Sequence, residues 1–137
     1  MSWTPEELPR PPLTLAQGIA RMEGWYLKGD VPNRPQRNNN PGDVEFDSFT
    51  RQFGATLETG EQHPRFACFP DAESGWRCLD ALLRTPAYAN LTLAQAINRY
   101  APPVENATSE YVDLVSHWTG ISAGTLLSAC LDLSSNG

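Results

Sequence analysis

Residues 43–69 read DVEFDSFTRQFGATLETGEQHPRFACF, and they decide the fold class. Val44, Phe46 and Phe49 mark one short strand and its exit. Phe53 to Leu57 suggest a second. Arg65-Phe66-Ala67-Cys68-Phe69 is the clearest strand, with Gly60, His63 and Pro64 supplying the turn before it. Aromatic residues between turn formers suit a pleated, half-buried surface.

The flanks have another period. Upstream, Leu15, Ile19, Met22 and Tyr26 recur at helical spacing and predict a helix from about Leu15 to Tyr26. Residues 28–42, KGDVPNRPQRNNNPG, carry Pro and Gly breakers and are expected to form a loop. Downstream, Asp71 is a good N-cap for a helix that buries Ala72, Trp76, Leu79 and Leu83 until Thr85-Pro86 ends it. A helix from Thr92 to about Tyr100 buries Leu93, Ile97 and Tyr100. Another from about Thr108 to Thr119 buries Tyr111, Leu114, Val115 and Trp118, with Gly120 as its stop. A last short helix begins near Ser122 and includes Leu126, Leu127, Cys130 and Leu131.

The pentapeptide LTLAQ occurs at 13–17 and again at 91–95. Thr14 with Gln17, and Thr92 with Gln95, have capping-box spacing, so each copy marks a helix start and no repeat is needed. One helix, a small antiparallel sheet and then several helices make an α+β domain. Residues 1–12 are expected to form a Pro-rich arm, 13–131 a single domain and 132–137 a flexible tail.

The chain of 137 residues fits one domain, and its net charge is −6. Nucleic acid and anionic membranes both select for basic patches, so neither is an expected partner. No apolar stretch approaches the length of a membrane span. MSWTPEELPRPPL has no basic segment leading into an apolar run, so a signal peptide is not expected and synthesis in the cytoplasm is. Three cysteines, Cys68, Cys78 and Cys130, lack metal-ligand spacing and read as reduced thiols.

Three stretches attract chemical interest. Glu23, in RMEGWY, sits on the border of the buried helical stripe. A carboxyl beside apolar and aromatic groups loses solvation, which favours its protonated form and suits a general acid. The structural alternative is pairing with Arg21 or Lys28, or exposure to water. Asn38, Asn39 and Asn40 offer uncharged donors and acceptors suited to sugar hydroxyls and acetamides. Turn chemistry explains Pro41-Gly42 and one asparagine without any ligand. In YAPPVENATSEY (100–111), Glu105, Asn106 and Tyr111 cluster near a helix start, where capping by Asn106 or Thr108 is the structural alternative. His63 and His117 have no acid or cysteine at metal-like spacing. No G-x-S-x-G, phosphate loop or dinucleotide fingerprint occurs, so no cofactor is expected.

The series IARMEGWY, RNNNPGD, RFACFPDAESGWRCLDALLR, AINRYAPPVENATSEYV and TGIS resembles a family of small lysozyme-like proteins of bacteria and phages, often described as virion structural proteins or transglycosylases. The resemblance covers roughly residues 13–128. It implies a lysozyme-like fold and cleavage of the β-1,4 bond between N-acetylmuramic acid and N-acetylglucosamine in peptidoglycan. The residue matching the superfamily's catalytic glutamate is Glu23. Asp43 and Glu45, at the entry to the sheet, match where many lysozymes place a partner acid. The resemblance gives Asn38–Asn40 a sugar-binding role, and gives Tyr111, with Tyr100, the opposing wall. A single glutamate acting first as acid and then as base fits a lytic transglycosylase; a second carboxylate fits a lysozyme. The acidic chain departs from commonly basic wall lysozymes. That fits delivery by a phage particle, a lysis cassette or a secretion system. It also fits a lysozyme-like module kept for structure or glycan binding without turnover. A chitin-active relative would use the same core chemistry.

Overall fold

A computed structural model describes residues 3–135. The order of elements is α1 (Leu15–Met22), α2 (Arg34–Arg37), α3 (Ser48–Arg51), β1 (Thr56–Leu57), β2 (Ala67–Cys68), α4 (Ala72–Leu83), α5 (Pro86–Ala89), α6 (Leu93–Tyr100), α7 (Thr108–Thr119) and α8 (Leu127–Ser135). It is an α+β chain, mainly helical with a two-stranded antiparallel sheet. No helix among the described residues is long and apolar enough to cross a membrane. Two groups of residues pack among themselves. The N-terminal residues through Leu8 group with Ile19–Asp80, and Pro9–Gly18 with the residues from Ala81 onward.

In the first group, the sheet pairs Thr56 with Cys68 and Leu57 with Ala67. Glu45 forms an isolated antiparallel bridge to Phe66. The expected strand through Val44 and Phe46 is thus one bridge long. The chain then turns helical: Asp47 caps α3 in a reciprocal box with Thr50. Phe46, Phe49 and Phe53 pack on the buried cluster of Ala55, Ala67, Phe69 and Cys78. Their spacing of three and four residues is that of a helical turn, not of a strand. The expected loop at 28–42 likewise contains α2, because Asn33 and Gln36 form a capping box and Pro35 sits in the first turn.

Helix α1 stops at Met22, four residues short of the expected end. Gly24 adopts φ +94°, and Trp25 N–H donates to Ala20 O at 3.0 Å while Gly24 N–H donates to Arg21 O at 3.3 Å. These bonds form a Schellman end with Glu23 at the C-cap. Trp25 and Tyr26 therefore leave the helical stripe.

Helix α4 carries one residue whose size is fixed by a neighbour. A Cβ on Gly75 would lie 2.0 Å from Asn39 O and 2.8 Å from Pro41 Cδ. Gly75→Ala forces the new methyl group against the Asn39 carbonyl and is expected to cost about 3 kcal/mol or more. Thermal unfolding checks this; a melting point within about 2 °C of wild type, well under 1 kcal/mol, contradicts it.

In the second group, both predicted capping boxes are present. Thr92 N–H donates to Gln95 Oε1 at 2.9 Å, Thr14 N–H does the same to Gln17 Oε1 at 2.9 Å, and the reciprocal bonds form. Helix α7 has the expected bounds and ends at Gly120 with φ +75°. Its N-cap is Ala107, with no side-chain bond. Asn106 instead donates to Pro102 O at 3.2 Å, and Thr108 Oγ1 donates to Ala101 O at 2.6 Å. The proposed caps are therefore turn and loop ties. Leu114, expected in the core, is 39% exposed, while Tyr111, Val112 and Val115 are buried. The helical face has turned by one position, with Val112 replacing Leu114. α5 was not expected; Pro86 opens it at the place where it ends the preceding helix. α8 runs to Ser135 into the expected tail, and Asn136 and Gly137 lie outside the described residues.

Candidate functional site

Glu23, Asn38–Asn40 and Asp43 all belong to the first group; Tyr100, Glu105, Asn106 and Tyr111 belong to the second. Glu23 is half-buried at the end of α1. The Schellman bonds fix its backbone, so its carboxyl leaves the helix at a defined point. The aromatics next in the chain are packed together. Trp25 and Trp76 meet edge to face with centroids 6.0 Å apart, and Tyr26 lies 6.4 Å from Trp76. Trp25 Nε1 donates to Glu6 Oε2 at 2.7 Å. The Tyr26 phenol is pushed above its ordinary range, first by burial and then by the Glu6 charge.

The asparagine loop is built from its own amides. Asn40 is fully buried; its Nδ2 donates to Val44 O and Ala67 O, both at 2.9 Å, and its Oδ1 accepts from Val44 N–H at 2.9 Å. Asn38 Nδ2 donates to Glu58 Oε1 at 3.0 Å. Asn39 has φ +51° and donates to Phe69 O at 3.1 Å. Turn chemistry plus cross-loop bonding accounts for all three. The side chains of buried Asn38 and Asn40 face the protein's own carbonyls and carboxylate, which gives both a structural role.

The loop ends on Asp43, also left-handed with φ +51°. Its Oδ1 is buried with no hydrogen-bond partner among the described residues. Burial pushes its carboxyl from 3.8 up to about 6; the charges of Arg34 and Arg65 pull it down, and that of Glu58 pushes it further up. Glu45, the other candidate partner acid, is exposed and ion-paired with Arg65. Of the two, Asp43 has the surroundings of a tuned acid.

Sequence reasoning missed Glu58. It is 3% exposed and lies just after β1. Arg34 grips it with Nε at 2.9 Å and Nη2 at 2.5 Å, and the Arg65 and Phe66 amides each donate to Oε2 at 2.8 Å. With Asn38 Nδ2, five donors meet one carboxylate. Arg34 also lies 4.6 Å from the Phe66 ring centroid. Glu58 is held well below the usual glutamate range, foremost by the Arg34 bond. No short motif marks it; the only signal is a glutamate inside a β-like run.

In the second group, Glu105 and Asn106 are exposed, Tyr111 is buried, and Tyr100 is half-buried with its ring 6.3 Å from that of Tyr88. A cleft-lining role for Tyr111 has to pass through whatever edge of that buried ring remains accessible.

Asp43 also yields a stability prediction. Its folded pKa lies above the unfolded one, so its contribution is full below about pH 3.8 and lost as pH rises through about 6. Asp43→Asn stays neutral and tolerates a left-handed backbone at least as well. It should match wild type near pH 4 and exceed it at pH 7 by about 1–2 kcal/mol, discounted for solvent screening. Melting curves at both pH values check it; a variant less stable at pH 7 contradicts the burial of an unsatisfied charge.

No protein-family model matches the chain, and no curated protein matches it either.

Proposed function

We propose that the protein is a peptidoglycan-cleaving glycosidase of lysozyme-like fold, with Glu23 as general acid and base. One observation carries the reading. Glu23 caps the end of α1, held there by left-handed Gly24, and leads directly into the Trp25–Tyr26–Trp76 cluster. A glutamate ending a helix, then a small sheet and then helices, is also the order that the resemblance implies.

In this reading Glu23 gives its proton to the glycosidic oxygen as the bond to C1 of N-acetylmuramic acid breaks. The acetamido oxygen of the same sugar attacks C1 and balances the developing charge. The Glu23 carboxylate then takes a proton from the C6 hydroxyl, whose oxygen closes on C1 as the bond from C1 to the acetamido oxygen breaks and the acetamide is restored. Water in place of that hydroxyl gives hydrolysis. A two-acid hydrolase would draw on Asp43, whose Oδ1 is buried without a hydrogen-bond partner among the described residues, rather than on exposed Glu45, which pairs with Arg65.

A second reading has its own support. The amides of Asn38–Asn40 make bonds within the protein, and Asn38 and Asn40 are buried, which supports a structural role for this loop. That favours a lysozyme-like structural or glycan-binding module without turnover. The experiment is digestion of purified peptidoglycan by wild type and by Glu23→Gln, with products read by mass spectrometry. Anhydromuropeptides from wild type alone support the transglycosylase. Absence of release where a control lysozyme works sinks the enzyme in favour of the module.

A further inference from the structure

The N-terminal residues through Leu8 pack with Ile19–Asp80, whereas the next stretch, Pro9–Gly18, packs elsewhere. Among the described residues, 3–8 form no helix or strand, and Pro5 fixes its own φ there. Its specific polar tie is the bond from Trp25 Nε1 to Glu6 Oε2 at 2.7 Å, spanning 19 positions of chain. A carboxylate acceptor makes this bond short and strong for a neutral donor. The same carboxylate acts on Tyr26, raising its phenol pKa after burial has done so. Glu6 thus serves two members of one aromatic cluster, whose third member, Trp76, joins both rings. Tyr26 and Trp76 are each only half-buried.

Such a cluster has the makings of a sugar site. Pyranose C–H faces stack on aromatic rings, and an indole N–H at the edge donates to a hydroxyl or acetamide oxygen. In the chain as it stands, that indole donor is taken by Glu6. We propose that the N-terminal arm is an intramolecular latch, and that lifting Glu6 from Trp25 frees the Trp25–Tyr26–Trp76 cluster to stack an N-acetylated amino-sugar oligosaccharide. The ligand class rests on the glycan reading above; the latch rests on the contact alone.

The test compares the 137-residue chain carrying Trp3→Phe and Trp118→Phe, taken as the wild-type reference, with its Glu6→Ala and Glu6→Gln variants, and uses N,N′,N″-triacetylchitotriose as probe. With Trp3 and Trp118 replaced by phenylalanine, acrylamide quenching of tryptophan fluorescence, without sugar, reads exposure of Trp25 and Trp76. Fluorescence titration reads affinity. Because the closed arm masks the competent state, Glu6→Ala should increase quenching and tighten chitotriose binding about tenfold. Glu6→Gln, which retains an uncharged acceptor, should fall between Glu6→Ala and wild type. Quenching and affinity within twofold of wild type in both variants overturn the latch. Increased quenching with unchanged affinity also overturns the proposal, since the uncovered cluster then takes no amino sugar. Neither measurement reads bond cleavage, so a chain without glycosidase activity can still pass or fail this test.

Discussion

Glu58→Gln is expected to destabilise the fold by about 3–5 kcal/mol, the usual range for breaking a buried, fully bonded charge. Five donors converge on the native carboxylate, and Arg34 approaches as a fork. A glutamine offers one acceptor oxygen and one amide nitrogen. Whichever way it turns, its NH2 faces an arginine N–H or a pair of backbone N–H groups. Donor then opposes donor in a site with little access to water, and the desolvation penalty of each orphaned group remains. For a chain of this size that corresponds to a loss of roughly 10–15 °C in melting temperature. The pH dependence gives a second readout. Glu58 has a depressed folded pKa, so its stabilisation is present above the unfolded glutamate value of about 4.3 and is lost as pH falls towards the folded value. Wild type should lose stability steeply below about pH 5, and the variant much less. A variant melting within about 3 °C of wild type at pH 7, near 1 kcal/mol, contradicts the central role of this carboxylate.

On the proposed glycosidase activity, Glu23→Gln is expected to lower peptidoglycan cleavage by about 10²–10⁴-fold, the usual worth of a positioned general acid–base. The amide is nearly isosteric but cannot give up a proton to the leaving oxygen. Glu23 is only half-buried and sits beyond the last helical residue, so the melting temperature should stay within about 2 °C. The two readouts must separate. Loss of cleavage with loss of stability would mean that the carboxyl is structural. Full activity would remove Glu23 from the mechanism. Reducing-end products from wild type would indicate a lysozyme and direct attention to Asp43. Glu45, tied to Arg65 at the surface, is a poorer second acid.

The helix starts were legible in the sequence because capping is local. Thr14–Gln17, Thr92–Gln95 and Asp71 each act on a backbone amide three residues away, and each bond is present. The α+β order was legible for a similar reason: turn formers divide the chain whatever its tertiary contacts. The phenylalanines at 46, 49 and 53 misled, because β propensity describes a fit to a half-buried surface and a short helical turn offers one too. The end of α1 was hidden by Tyr26, which continues the apolar spacing after Gly24 has already reversed the backbone. At the site, Glu23 stood out by its neighbours in sequence, whereas Glu58 did not. Its donors come from Arg34, Asn38, Arg65 and Phe66, and no local pattern gathers them. The asparagine run advertised polarity correctly, but sequence alone did not say whether the amides faced a ligand or the loop.

The left-handed glycine after Glu23 separates two kinds of inheritance. Any descendant that keeps the shape of this chain needs a residue at position 24 able to sit at φ +94°, whatever it does for a living. Position 23 carries no such demand, since many side chains can occupy the end of a helix. On the glycosidase proposal, lineages that hold the glycine but vary the glutamate would be scaffolds without that chemistry, and lineages that hold both would be its candidates.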